Sequence, residues 1–255
     1  MRAAPGIYLE RNGIMPGSKP PAYLTHPRFA ALAWLVHGFG TREGRPEDFG
    51  RKKKKTWPGF EIAELKQTHS DVLHFIDAVP ARRLAGDALA TDKPGMLLVI
   101  RTADCLPILL ADTEKRVVAA VHAGWRGTSL GILARVVREL GERYGSAPSS
   151  LAAVLGPCIG PACYEVGEDV RTSFREAGRG GDAAVFRAPD SRGRGAARKY
   201  LLDLRAANRL QLAAAGVRPG AVFDIPPCTH CDGRLLSYRR DRDTTARLYN
   251  FIGIR

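Results

Sequence analysis

The chain has 255 residues, 45% hydrophobic and 25% charged, the composition of a soluble globular protein able to bury a substantial core. No apolar run approaches the roughly 18 residues a bilayer span requires, and residues 1–6 lack the apolar centre of a signal peptide, so a cytoplasmic, non-membrane protein is expected. A formal charge of +13 raises nucleic acid as a partner, but the arginines are scattered and no aromatic-and-basic stacking pattern accompanies them, which argues against that class.

Residues 1–30 contain Pro5, Pro16, Pro20, Pro21 and Pro27 with little periodicity, and read as an irregular lead-in. The apolar run 32–36 predicts a strand delivering a turn that ends at Arg42. Residues 43–58 are basic and rich in turn formers, so an exposed loop is expected, with the cations of 51–55 solvated because like charges repel. In 67–76, His69 stands among polar residues at an expected strand start, whereas His74 lies among alternating apolar residues and reads as structural. A turn followed by a short segment occupies 86–92 and another turn 93–95, before a buried strand over 96–100.

The chemistry concentrates in 102–127. Two apolar runs, 106–111 and 117–121, flank a polar tetrapeptide at 112–115, which is a hairpin signal. A four-residue loop there places Cys105 opposite His122, and directly opposed residues hold their Cβ atoms about 5 Å apart. A thiolate and an imidazole at that separation can share a metal ion or exchange a proton. With His69 as a third ligand, the set suits zinc with one open position, the catalytic arrangement. Asp104 is expected either to accept from a ring N–H of His122 or His69 or to cap its own turn. The glycines of Gly124-Trp-Arg-Gly127 predict an open turn leading into a helix at 129–143, capped by Thr128 or Ser129 and stopped at Gly141, whose start would offer amides to an anion.

Beyond it, 151–155 predicts a strand, 156–167 a Gly/Pro-rich loop suited to substrate contacts, and 168–177 a helix. The glycines of 178–198 read as a mobile insertion, 201–215 as a helix ended by Gly216, and 248–254 as a closing strand. The five cysteines are odd in number and do not suggest a disulfide framework. Cys228-x-x-Cys231 is half a zinc ribbon that could join Cys158 and Cys163, but the spacing of those two across a Pro-rich loop favours plain buried thiols. Dinucleotide, α/β-hydrolase and P-loop motifs are absent from the sequence.

Gln67-x-His69, Thr102-Ala-Asp-Cys-Leu-Pro107, His122-Ala-Gly-Trp-Arg-Gly127, Leu155-Gly-Pro-x-Ile-Gly160, Tyr164-Glu-Val-Gly167 and Ser237-Tyr-Arg-Arg-Asp241 occur in order. Together, over roughly residues 36–254, they resemble the YfiH-like family, described as multicopper polyphenol oxidases or purine nucleoside phosphorylases. The resemblance implies one α+β domain over 1–255, with mixed sheets in a sandwich flanked by helices. It also implies a zinc site of His69, Cys105 and His122, matching the ligands reached from the residues themselves. The implied activity is phosphorolysis of adenosine, inosine or guanosine, with adenosine deamination and methylthioadenosine cleavage as related reactions. Two departures stand out: a short basic segment between Arg42 and Gln67, and Thr244-Thr-Ala-Arg247 where relatives tend to have Thr-Gly-Arg.

Purine nucleoside and phosphate are therefore the expected substrates. Cys105, His122 and Asp104 are the expected catalytic residues, Gln67 a substrate contact, and Arg42 and Arg126 the forks for the anion. An amidase editing wrongly loaded cell-wall (UDP-MurNAc-amino acid) precursors would instead use Cys105 as nucleophile with His122 as base. A copper polyphenol oxidase would need more imidazole ligands than six histidines readily supply.

Overall fold

The apolar runs at the centre of the chain are continuous rather than alternating, as expected of strands covered on both faces. A computed structural model, describing residues 22–49, 57–178, 182–189 and 198–255, shows why. Its strands are β1 (Tyr23–Leu24), β2 (Leu35–Gly40), β3 (Glu61–Glu64), β4 (Leu73–Phe75), β5 (Ala88–Thr91), β6 (Met96–Thr102) and β7 (Leu106–Asp112). Then come β8 (Val117–Ala123), β9 (Leu151–Leu155), β10 (Glu165–Gly167), β11 (Phe186–Arg187), β12 (Lys199–Leu202), β13 (Val222–Asp224) and β14 (Leu248–Ile254). They form a five-stranded sheet ordered β1-β2-β14-β6-β3, a six-stranded sheet ordered β13-β9-β7-β8-β5-β4, and a small sheet β10-β12-β11. Both large sheets are mixed: β3 runs parallel to β6, and β13 and β4 run parallel to β9 and β5.

Side-chain alternation along β7 assigns its two faces. Leu106, Ile108 and Leu110 join one apolar cluster with Ile132, Leu133, Val136 and Val137. Leu109 and Ala111 join another with Leu98, Ile100 and Ile252 of the five-stranded sheet. The result is a single α+β unit in which two mixed sheets are stacked and helices cover the outer face of the larger one. The helices are α1 (Pro27–Ala30), α2 (Trp125–Leu130), α3 (Ile132–Tyr144), α4 (Glu168–Glu176), α5 (Asp182–Val185), α6 (Leu204–Ala214) and α7 (Tyr238–Asp241). None of them is long and apolar enough to cross a membrane.

Several expectations shift by physical causes that the structure exposes. The hairpin loop is 113–116 rather than 112–115, with Asp112 paired to Val117. The Asp112 carboxylate accepts from the Glu114 and Lys115 amides at 2.9 and 3.0 Å, and Arg116 takes a left-handed φ of 54°. An Asx-type cap thus keeps Asp112 on the strand. The register moves by two positions, so His122 faces Pro107 and Cys105 becomes a diagonal neighbour on the same face. The helix expected over 129–143 begins earlier, as α2 at Trp125 with Gly124 as its N-cap, and Gly131 at φ 86° breaks it from α3. Gly141 lies inside α3, and Gly145 in the left-handed region ends it. Residues 201 and 202 belong to β12, and Asp203 caps α6 by accepting from the Ala206 amide.

The strand expected at 32–36 is β2, which runs on through the glycines to Gly40, and the lead-in carries β1 and α1. The loop expected over 43–58 is anchored by Phe49 and Trp57, both buried on the outer face of the five-stranded sheet with Tyr23 and Phe251. The basic run 51–55, residues 1–21, 179–181 and 190–197 lie outside the described residues.

Candidate metal centre and its cavity

Three strand ends meet at one end of the six-stranded sheet: the start of β5, the start of β7 and the end of β8. Asp87 immediately precedes β5, Cys105 immediately precedes β7, and His122 is the penultimate residue of β8. His69 lies on the connection from β3 to β4 with φ 59°, a left-handed conformation unusual for a side-chain-bearing residue. The ligand atoms of His69, Cys105 and His122 all lie within 4.8 Å of one another. The two imidazole rings stand edge to face at 4.9 Å.

Asp87 is the organising group behind this cluster. Its side chain is fully buried. One oxygen accepts from the His69 amide at 3.1 Å and from His122 Nδ1 at 2.7 Å. The other accepts from the Thr68 and Ser70 amides at 3.1 and 2.6 Å and from both their hydroxyls. Burial alone would raise the Asp87 carboxyl, but His122 and the Ser70 donors hold it far below the usual carboxylate range. It is therefore an anion that keeps the hydrogen on His122 Nδ1, so Nε2 is the nitrogen that would lose its proton to bind a metal. Burial likewise works against charge on Cys105 and His122, yet their mutual attraction prevails. The thiol is lowered to about 6 by His122 and His69, and His122 is raised to about 9 by Cys105 and Asp87. In the metal-free chain this is a thiolate–imidazolium pair.

Gly124 makes the approach possible. A Cβ there would stand 3.1 Å from both Cys105 Sγ and His69 Cδ2, so a side chain would have to push the ligands aside. The donor set, two imidazoles and a soft thiolate exposed on one side, fits a transition metal with an open coordination position.

The cluster forms part of the wall of a cavity of about 500 Å³, with Gln67, Arg101, Thr102, Ala103, Tyr238, Thr244, Thr245 and Arg247 completing the lining. A larger apolar groove of about 750 Å³ lies along α3 and α6, away from these groups. Gln67 contributes more to the wall than to a ligand, since its amide clasps both backbone groups of Arg101 at 2.8 Å. Arg42 does not line the cavity: its guanidinium is engaged by the Gly233 and Leu235 carbonyls and by Asp241. Arg126 lies in the first turn of α2 with its guanidinium 4.4 Å from the Trp125 ring, and it too is outside the lining. The turn expected to be open is helical, with the Thr128 amide already bonded to the Gly124 carbonyl.

Asp104 does not reach a ring nitrogen. Its oxygens accept from Thr229 Oγ1 at 2.6 Å and the Arg239 amide at 2.7 Å, and its φ is 84°. It ties the tail of the chain to the cluster, while Asp87 holds the imidazole. Asp87 and Arg101 are site residues that the sequence did not single out, and Arg247 entered only through its departure from the Thr-Gly-Arg pattern. Nothing local marks Asp87: the stretch 86–92 reads as a turn and a short segment, whereas the structure runs β5 through it. Cys163, His230 and Cys231 form a second group of mutually close donors, and Cys158 is a buried thiol outside it.

The profile of a family described as multi-copper polyphenol oxidoreductase laccase matches residues 51–255. The chain is 40% identical over 71% of its length to a protein named purine nucleoside phosphorylase YlmD from Geobacillus stearothermophilus, and spans 63% of that relative. It is 34% identical to a purine nucleoside phosphorylase of Clostridium acetobutylicum, the match covering 86% of each chain. A protein named adenosine deaminase RL5, from an unknown prokaryotic organism, is 39% identical over 62% of this chain and 57% of that one. The crystal structure of the Bacillus licheniformis hypothetical protein YfiH superposes with a TM-score of 0.79 at 28% identity, covering 92% of this chain and 97% of that one.

Proposed function

This chain belongs to the YfiH-like family, and we propose that its polar cavity is the site of a zinc-dependent purine nucleoside phosphorylase. The observation that carries the proposal is the juxtaposition of the His69, Cys105 and His122 donors with two arginines, Arg101 and Arg247, around one cavity. His69, Cys105 and His122 would hold the zinc, which when bound supplies Lewis acidity beside the substrate. A thiolate and two imidazoles favour zinc over oxygen-seeking cations, and three histidine or cysteine ligands are too few for a multi-copper cluster.

The residues of the chain then divide the work. Asp87 fixes the tautomer and aim of His122 through the 2.7 Å bond to Nδ1. Gln67 fixes the backbone at Arg101 and so the root of that side chain. Arg101 and Arg247 take the anion, because planar guanidinium groups match phosphate oxygens. Tyr238 lies at the rim, 45% exposed, and offers an aromatic face to a purine. Holding phosphate and nucleoside together in one cavity is the larger part of what such a displacement requires.

The test is turnover of inosine and adenosine by zinc-loaded protein with and without phosphate. The proposal expects phosphate-dependent release of free base with ribose 1-phosphate as co-product, and Arg101→Ala should raise the KM for phosphate more than that for nucleoside. A second reading, adenosine deamination, is favoured by the relative named for that activity. It gives inosine and ammonia without phosphate, so the same assay separates the two. If neither nucleoside is turned over, both fail and amidase chemistry by the Cys105–His122 pair moves ahead.

A further inference from the structure

The second donor group lies on two loops remote in sequence. Cys163 sits on the turn before β10, and Cys228, His230 and Cys231 sit on the connection after β13. Donor atoms of Cys163, His230 and Cys231 are all within 4.8 Å of one another, and the Cys163 and Cys231 sulfurs are 3.3 Å apart. Cys228 lies beside both those cysteines but outside the mutually close trio, so it would swing in as the fourth donor. Its sulfur also accepts the Gly160 amide at 3.1 Å, with the backbone amides of His230 and Cys231 nearby.

The close approach of the Cys163, His230 and Cys231 donors carries the most weight. In a Cys-x-x-Cys loop, folding the following amides back onto the first sulfur makes a compact knuckle and aims the second sulfur beside it. Amide donors around a sulfur also suit a thiolate, the form in which cysteine ligates metal. The loop is held open in this shape by Arg240, whose guanidinium donates to the Thr229, His230, Asp232 and Leu235 carbonyls. The sulfur separation is far beyond the roughly 2.05 Å of a disulfide. It is close to the ~3.8 Å between two ligands on a tetrahedral centre with Zn–S near 2.3 Å.

We propose that Cys163, Cys228, His230 and Cys231 form a second, structural zinc site. Three sulfurs and one imidazole complete a tetrahedral set with no position left for substrate, the closed pattern of structural rather than catalytic zinc. Each thiol surrenders its proton to solvent on binding, and the metal supplies the compensating charge. The site fastens together two loops that also converge on Asp104, which binds Thr229 Oγ1 and, through its carbonyl, the Ile159 amide. Its consequence is to stiffen the backbone immediately before Cys105.

The proposal does not rest on the nucleoside reading, and its test reads metal in a chain whose first centre has been removed. The full chain carrying His69→Ala and Cys105→Ala, reduced with a non-thiol reductant, is titrated with cobalt(II). One ion per chain is expected, with near-ultraviolet sulfur-to-cobalt charge transfer and tetrahedral d–d bands. Adding Cys163→Ser and Cys231→Ser should abolish both. No uptake by the first variant overturns the proposal. So does uptake that survives the added serines.

The unmutated chain provides a second measurement that needs no variant to fold. Alkylation read by mass spectrometry should leave Cys163, Cys228 and Cys231 protected in the zinc-loaded protein, and chelator should expose them. Equal labelling before and after chelation would overturn the site, as would a resting Cys163–Cys231 disulfide seen as a mass lower by two hydrogens.

Discussion

Asp87→Asn probes how the first centre is held. The substitution keeps shape but replaces one acceptor oxygen by an NH2 donor. At the oxygen facing Thr68 and Ser70, the new donor would confront two backbone amides, which cannot reverse. The less costly orientation places it against the His69 amide and His122 Nδ1. His122 can then bond to it only by shifting its hydrogen to Nε2, the nitrogen the metal needs. The His69 amide is left without its acceptor, and an unsatisfied buried donor costs about 1–3 kcal/mol. With the loss of the charge-assisted bonds, the metal-free chain should lose about 2–4 kcal/mol of stability. Metal affinity at the first centre should fall about 10–100-fold, the usual penalty for removing the partner of a ligating histidine. Urea unfolding of chelator-treated protein measures the first quantity, and competition with a chromophoric chelator the second. Affinity within about twofold of the parent, with stability within about 0.5 kcal/mol, would refute the tautomer argument.

Other perturbations separate ligands from scaffold. Cys105→Ala and His69→Ala should each remove one metal equivalent in elemental analysis, and full occupancy in either would take that residue out of the centre. Gly124→Ala should weaken metal binding, because the added methyl meets Cys105 and His69 at 3.1 Å; unfolding should show a cost of about 1–3 kcal/mol, as for overpacking generally. Away from the site, burial lowers His37 from 6.5 to about 4, with His26 adding to the shift, and its neutral Nε2 accepts the His26 amide at 2.9 Å. The unfolded chain therefore binds the extra proton first. Stability should be full above about pH 6.5 and fall by roughly 3 kcal/mol as pH drops to 4. His37→Gln should flatten that part of the pH profile, and an unchanged profile would contradict the assignment.

What the sequence revealed and what it hid follow from the range of the interactions. Cys105 and His122 could be paired because hairpin contacts are local, and the two-residue register error left them on the same face. The error itself came from Asp112, whose side-chain cap on Glu114 and Lys115 decides where the strand ends. His69 was reachable only by asking which third ligand completes a zinc set. Asp87 was not, because its role depends on β5 pairing with β8 and on a loop that folds three amides onto one carboxylate. Arg42 and Arg126 looked like anion binders by residue type, yet carbonyls and an indole ring already hold them. The side chains that do line the cavity, Arg101 and Arg247, come from the end of β6 and the approach to β14, strands of the other sheet. In the site proposed at 228–231 the fourth donor would be a histidine rather than Cys158, a donor that cysteine spacing does not bring in.

The position of the centre follows from the way the chain changes sheets. β6 belongs to the five-stranded sheet and β7 to the six-stranded one, and only residues 103–105 separate them. A crossing that short cannot relax into a loop, so Asp104 is forced to a φ of 84°, and strain of this kind persists only where surrounding bonds over-determine it. Here they do: both carboxylate oxygens and the carbonyl of Asp104 are bonded, to Thr229, Arg239 and Ile159. The crossing thereby fixes Cys105 at the seam between the sheets. At that end β8 delivers His122, and Leu248 of β14 pairs with Thr102 of β6. A ligand placed at such a seam can be fixed by one sheet while its cavity is lined by the other, which is how Cys105 and Arg247 come to face the same space.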